Sequence, residues 1–424
     1  MKRNIYPGNY SGQIRIPPSK SYLQRAIAIA ALGKGISVIK GYVSNNDVDT
    51  AIRIIQNLGA ETIISENEIQ IKGIEESKQI VHLECGEAGL SVRMFSAIAS
   101  LKCNEVYMKG SGSLLNRPMK MVSDALEQLG LRVRSCDGKL PLQIEGKLEA
   151  GRVYIDGSES SQLLSGLLIA LTQVNGSSTI LVENVRSIPY IRMTIKLMQH
   201  FGLSVTQEGF EKFEIKGGQS VLPTEYEAEG DWSSASTHLV GAAISGTITI
   251  HNLKADSVQA DAVILNVLKS CGADVIIDGD TISVHKNKLQ PFIVDITHCP
   301  DLFPALCVLA ANCKGTSHIS GIHRLANKES NRLVSIQNEF KKLGITVLTI
   351  GDQVSISGGE INGGDVNSHN DHRIVMAMAT MALNATGPVS ILGVEAVHKS
   401  YPSFFQDFEH LSHKSCYPIS LNQT

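Results

Sequence analysis

The sequence lacks most features that mark a specialised class of protein. Lys and Arg number 38 against 41 Asp and Glu, a net charge of −3. No global basic excess therefore points to nucleic acid or a membrane surface, and any basic site must be a local concentration. No apolar run approaches the roughly 18 residues of a membrane span; AIAIAAL at 26–32 is only seven long. The N-terminal MKRNIYPGNYSG has basic residues but no apolar stretch behind them, which is not a secretory pattern. A cytoplasmic protein is expected. None of the eight cysteines (Cys85, Cys103, Cys136, Cys271, Cys299, Cys307, Cys313 and Cys416) forms a C-x-x-C pair. In a chain of this kind they are expected as reduced core thiols. GSG at 110–112 has no G-x-G-x-x-G or Walker continuation, and no nucleophile elbow is present. His369-x-x-His372 has no third ligand in register, so no metal is expected. What remains is ordinary globular composition, 43% hydrophobic and 19% charged, in 424 residues, enough for two or three domains.

What is present is a repeat. NLGA, QLGL, HFGL, SCGA and KLGI place Gly59, Gly130, Gly202, Gly272 and Gly344 at intervals of 71, 72, 70 and 72. One glycine after a helix means little, but five at near-constant spacing mean a repeated unit. The third residue on is Val133, Val205, Val275 and Val347 in four copies. A polar turn and an alternating strand follow: EIQIKG, PLQIEG, KFEIKG, TISVHK, QVSISG. Each unit is read as ending helix–strand–turn–strand, with a further strand and helix before it. Six units of about 71 residues fill the chain, the sixth glycine falling near 416. The strands missing from the last unit are expected from the N-terminus, where QIRI (13–16) alternates well. The predicted fold is α/β: two globular domains, each of three units. Residues 1–18 plus 230–424 form one, 19–229 the other, with junctions at Pro17-Pro18-Ser19 and in the stretch from Pro223 to Asp231. A cleft between such halves is the default ligand site.

Helix starts carry cations where the helix dipole disfavours them. Ser19-Lys20-Ser21 leads to Arg25, Glu87-Ala88-Gly89 to Arg93, Lys328-Glu329-Ser330 to Arg332, and Asn370-Asp371-His372 to Arg373. Ser160-Ser161-Gln162 opens another helix with three hydrogen-bonding side chains. Any one is explained as a solvated cation beside a cap. Four in one repeat frame point to bound anions, with free N–H groups and Arg forks as donors. Asp301, in HCPDLFPAL, and Glu329 are by themselves readable as a cap and a surface ion pair.

At these residues the sequence resembles the 5-enolpyruvylshikimate-3-phosphate synthase family. PSKSYLQRA, EAGLSVRMF, NRPM, GSESSQ, SIPYI, HCPDLFPAL, NKESNR, NDHR and KSYP match nine family segments in order, from residue 18 to 402. The resemblance implies two domains of three βαβαββ units each, an inside-out α/β barrel-like arrangement joined by a double-crossover hinge. It implies transfer of the enolpyruvyl group of phosphoenolpyruvate to the 5-hydroxyl of shikimate 3-phosphate, releasing phosphate, as a monomer with no metal or organic cofactor. By the same resemblance Lys20, Ser21, Arg25, Ser160, Ser161, Gln162, Ser187, Asp301 and Lys328 would hold shikimate 3-phosphate. Lys20, Gly89, Arg117, Gln162, Arg332, Arg373 and Lys399 would surround phosphoenolpyruvate. Asp301, Glu329 and Lys20 would be catalytic: Asp301 on the 5-hydroxyl, Glu329 with Lys20 on the proton at the methylene carbon. Gly89 would leave room for glyphosate.

Five positions depart from the pattern: Glu87 for Asn, Leu90 for Thr, Ile188 for Lys, Asn331 for Asp, and Arg324 where some members have Asn. Two rivals remain. A UDP-N-acetylglucosamine 1-carboxyvinyltransferase-like enzyme shares the repeat but carries a Cys near residue 115, where GSGSLLNRPM has none. A non-catalytic protein binding phosphorylated metabolites would gain nothing from Asp301 and Glu329.

Overall fold

The computed structural model describes residues 1–413. Cys416 and the place of a sixth repeat glycine lie outside the described residues.

The five spaced glycines each end a helix: Asn46–Leu58, Lys120–Glu127, Ile188–His200, Ile264–Ser270 and Arg332–Lys342. All five have positive φ, between 79° and 112°. The reversal lets the next residue bond back five positions in every copy: Ala60 to Ile55, Leu131 to Leu126, Leu203 to Met198, Ala273 to Leu268 and Ile345 to Phe340. That residue is buried each time, which explains the glycine–apolar pattern.

A hairpin follows each glycine, pairing Glu61–Ile64 with Glu68–Lys72, Arg132–Cys136 with Lys139–Glu145, Thr206–Glu208 with Lys212–Lys216, Asp274–Asp278 with Thr281–His285, and Val347–Ile350 with Gln353–Ser357. The second strand of each continues into an antiparallel neighbour, which pairs in parallel with a fourth strand. Six separate sheets result, one per unit, and none closes into a barrel among the described residues.

The chain divides into two compact units, Pro18–Ala228 and Met1–Pro17 with the chain from Glu229 onward. Each is completed by a strand that is distant in the chain from the strand it joins. Asn9–Arg15 precedes the helix Lys20–Ala30, yet it pairs in parallel with Gly246–His251. Glu225–Glu227 precedes the helix Trp232–Ser245, yet it pairs in parallel with Ile36–Lys40. This corrects the expectation for QIRI, which opens the fourth sheet and does not complete the last. The last sheet is completed by Lys2–Ile5, antiparallel to Val389–Leu392. Alternation identifies a strand by its buried face, but not which sheet edge receives it.

Within each unit three helices form the centre. In Pro18–Ala228 they are Lys20–Ala30, Gly89–Lys102 and Gln162–Leu171, buried almost all round. The last two approach so closely that a Cβ on Gly166 would lie 2.4 Å from the Met94 carbonyl oxygen. In the other unit Trp232–Ser245, Phe303–Ala311 and His372–Ala382 pack on one another. The strands alternate between buried and more exposed positions, so each sheet turns one face to the helices and one outward. Helices inside and sheets outside is the expected architecture.

Of the seven described cysteines, all free, six are buried as expected; Cys136, at the end of a hairpin strand, is exposed. No helix among the described residues is long and apolar enough to cross a membrane.

Candidate active site

The central helices of each unit bring their first turns together, and nearly all the singled-out residues stand there. In Pro18–Ala228, Arg25 is one turn into its helix and 1% exposed. Its guanidinium donates to Thr194 Oγ1 (2.9 Å), Ser21 O (2.9 Å) and Ser165 Oγ (3.4 Å). Ser165 in turn donates to Ser161 O (3.1 Å). With hydroxyls and a carbonyl as partners and no carboxylate, burial lowers the Arg25 pKa to about 10, which leaves it cationic at neutral pH. Gly89 begins the second helix and Gln162 the third. A Cβ on Gly89 would stand 3.0 Å from Arg117 Nη1, 3.1 Å from Arg93 Nη1 and 3.3 Å from Gln162 Oε1. The small residue thus gathers two guanidinium groups and an amide; Arg93 Nη1 donates to Gln162 Oε1 (3.1 Å). Ser160 Oγ accepts from the Gln162 N–H (3.1 Å). Ser187 begins the helix Ile188–His200 with a φ of 55°, a costly conformation for a non-glycine residue. Lys20 is ion-paired with Asp47 at 2.7 Å.

In the other unit the centre is Arg332, 1% exposed. Its Nε donates to Asp371 Oδ2 (2.9 Å), Nη1 to Asp301 Oδ1 (2.5 Å) and Nη2 to Glu329 Oε2 (2.6 Å). Burial alone would depress such a cation, but the three carboxylates hold its pKa well above the usual value. Asp301 also meets Lys328 Nζ at 3.2 Å. Burial would raise the Asp301 carboxyl; Lys328, Arg332 and Arg373 overcome that and hold it well below the usual range. It is ionised at any physiological pH. Burial lowers Lys328 in turn. Arg373 is buried, and its Nε and Nη1 have no hydrogen-bond partner. Lys399 Nζ donates to Asn370 O (2.6 Å).

Arg332, expected to fork an anion, has its guanidinium engaged by carboxylates in this structure, and Arg373 is the better prepared of the two. Three further acidic residues stand beside these groups, Asp47 in one unit and Asp261 and Asp371 in the other. Asp47 neutralises Lys20. Asp371 caps its own helix through the Arg373 N–H (2.9 Å) while holding Arg332; NDHR carried the capping signal but not the second role. Asp261 is 1% exposed, accepts from Ser233 Oγ through Oδ2, and has no partner at Oδ1. Burial first, then Asp301, pushes its carboxyl up to about 7.

The departures have local explanations in part. Asn331 caps its helix by accepting from Val334 N–H (3.2 Å), as an Asp would. The Glu87 carboxyl covers Gly112, where a Cβ would meet it at 2.4 Å, so Glu87 braces the loop before Arg117. Arg324 is buried and donates to Thr297 O (2.8 Å). Leu90 is buried in the first turn of its helix and Ile188 is half-buried. His369 Nε2 lies 2.7 Å from Glu339 Oε1, whereas the His372 ring is buried beside Asp371. The two histidines thus have different partners, and no group of three metal-ligating side chains occurs among the described residues.

A family profile for EPSP synthase (3-phosphoshikimate 1-carboxyvinyltransferase) matches residues 6–408. The chain belongs to this family. The 3-phosphoshikimate 1-carboxyvinyltransferase of Clostridium acetobutylicum is 37% identical over 414 residues, covering 96% of each chain. That of Clostridium novyi is 35% identical over 418 residues, again covering 96% of each. Among solved structures, EPSP synthase from Acinetobacter baumannii superposes with a TM-score of 0.80 at 26% identity, covering 97% of this chain and 98% of that one. The enolpyruvyl transferase NikO from Streptomyces tendae gives a TM-score of 0.79 at 16% identity, a likeness of fold alone.

Proposed function

We propose that this member of the EPSP synthase family transfers the enolpyruvyl group of phosphoenolpyruvate to the 5-hydroxyl of shikimate 3-phosphate, with release of phosphate. It is a transferase of aromatic amino-acid biosynthesis. The observation that carries the residue roles is in the Arg332 cluster. Two carboxylates suited to proton transfer, Asp301 and Glu329, meet one guanidinium, near a second buried guanidinium, Arg373, with unfilled donors. Anion binding by itself needs no such carboxylates.

The chemistry asks for those groups. The 5-hydroxyl oxygen loses its proton as it adds to C2 of phosphoenolpyruvate and C3 takes a proton, giving a tetrahedral intermediate. Loss of a C3 proton and departure of phosphate then restore the double bond. Asp301, ionised before substrate arrives, orients the 5-hydroxyl and receives its proton, which grows more acidic as the C–O bond forms. Glu329, with Lys20, gives and removes the C3 proton, a contribution of roughly 10²–10⁴-fold. Two polyanions repel, so Arg25 with Ser160, Ser161, Ser187 and Lys328 serve shikimate 3-phosphate. Arg117, Gln162, Arg332, Arg373 and Lys399 serve phosphoenolpyruvate and stabilise the leaving phosphate. In this reading Arg332 exchanges carboxylate for substrate oxygens on binding.

The deciding experiment is phosphate release from phosphoenolpyruvate with shikimate 3-phosphate or UDP-N-acetylglucosamine as acceptor. Release with the first alone is expected. Release with the UDP-sugar alone would overturn the reading, and release with neither would favour the non-catalytic one.

A further inference from the structure

A small pocket lies wholly within Pro18–Ala228. Ser160, Ser161, Asp156 and Arg186 supply its polar lining, and Ile155, Leu164 and Val182 part of its apolar wall. Arg186 is not among the side chains assigned to either substrate. Its Nε is buried without a hydrogen-bond partner. The neighbouring carboxylate does not serve it: Asp156 accepts from Ser158 N–H (3.0 Å), Ser158 Oγ (2.9 Å) and Asn184 Nδ2 (3.3 Å). Leaving a buried guanidinium nitrogen unfilled is costly, and the pocket beside it contains the two serine hydroxyls assigned to shikimate 3-phosphate. Arg186 adjoins Ser187 in sequence, and both Asn184 and Ser187 hold positive φ, 52° and 55°. The turn that presents Arg186 is therefore held in a demanding backbone shape.

We propose that Arg186 is an additional specificity residue that binds the phosphate group of shikimate 3-phosphate together with Ser160, Ser161 and Ser187. The assignment rests on the reaction proposed above. A planar fork beside hydroxyl donors is suited to a tetrahedral dianion. The charge recognises the ester phosphate and has no role at the reacting carbons. Losing it weakens shikimate 3-phosphate binding and leaves phosphoenolpyruvate binding and the chemical steps nearly intact.

The test is steady-state kinetics of Arg186→Gln and Arg186→Lys, with phosphoenolpyruvate and shikimate 3-phosphate varied separately. Charge-assisted hydrogen bonds of this kind correspond to roughly a 10-fold or greater change in affinity. Arg186→Gln should raise KM for shikimate 3-phosphate by at least that factor. KM for phosphoenolpyruvate and kcat should stay within about two- to three-fold, and Arg186→Lys should fall between, since Lys keeps the charge without the fork. Asp156→Asn/Arg186→Gln separates phosphate binding from neutralisation of Asp156. A persisting defect supports the proposal; a restored KM overturns it. An unchanged KM in Arg186→Gln also overturns it, as does an equal rise for both substrates. Wild-type protein that does not turn over shikimate 3-phosphate would instead overturn the reaction itself.

Discussion

Arg332 Nη2 donates to Glu329 Oε2 at 2.6 Å, three residues back in the chain. The group proposed to handle the C3 proton is thus held by a group proposed to bind phosphoenolpyruvate. Asp301 and Asp371 bind the same guanidinium, so its positive charge is more than balanced before substrate arrives. An anion binding at Arg332 would compete with three carboxylates, two of which, Asp301 and Glu329, are proposed to act in the reaction. On the proposed roles, substrate binding and the acid–base groups would be linked through this one side chain.

Glu329→Gln keeps the shape and a hydrogen bond to Arg332 but cannot transfer a proton. A fall in kcat of about 10²-fold or more is expected, with both KM values within a few-fold. Equilibrium binding measurements should find that both substrates still bind. Unchanged turnover would remove Glu329 from the mechanism.

Gly89→Ala tests the packing at the second helix start. Its methyl would press on Arg117 Nη1, Arg93 Nη1 and Gln162 Oε1, all within 3.3 Å of the new carbon. Two are assigned to phosphoenolpyruvate, so its KM should rise about 10-fold, a loss of ~1.4 kcal/mol. Wild-type protein should be inhibited by glyphosate competing with phosphoenolpyruvate, and the inhibition constant should rise further in the variant. Equal sensitivity of the two proteins would show that Gly89 does not shape that site.

Gly166→Ala is a stability test. The new Cβ would be 2.4 Å from the Met94 carbonyl oxygen, a contact that helix backbones relieve only by moving apart. Overpacking of this kind costs about 1–3 kcal/mol. Urea unfolding should give a lower midpoint than wild type, and an equal midpoint would refute the close helix approach.

Two buried groups give pH dependences of opposite sign. Asp261 has its pKa raised to about 7 by burial and by Asp301. The folded state therefore holds a proton the unfolded chain has lost, and this contribution to stability declines as pH rises from about 4 to about 7. His238 is lowered to about 3 by burial. Tyr401 gives its proton to Asp407 Oδ2 (2.7 Å), so it accepts from His238 Nε2 (3.1 Å), and Nδ1 accepts from Tyr10 (2.5 Å). The unfolded histidine charges below about 6.5, and stability is lost as pH falls from there toward 3. Denaturation of wild type, Asp261→Asn and His238→Gln across pH 4–8 should separate the two. Each difference should slope by up to roughly 1.4 kcal/mol per pH unit in its own window. Differences that do not change with pH would contradict both assignments.

The repeat, its helix ends and its hairpins were legible in the sequence because they depend on neighbours a few residues apart. Gly59, Gly130, Gly202, Gly272 and Gly344 announce left-handed caps, and the alternation after each announces a strand that must bury one face. The family segments likewise marked the helix starts that converge in each unit. Tertiary structure decided what periodicity does not encode: which partner each element takes. Asn9–Arg15 alternates like any strand, yet it pairs with Gly246–His251, more than 200 positions away. Lys20 and Arg332 look like free cations in the sequence, but Asp47 and the group Asp301, Glu329 and Asp371 neutralise them. Local propensity and burial periodicity are short-range. Charge pairing and strand-edge choice depend on contacts that the chain makes only after it has folded.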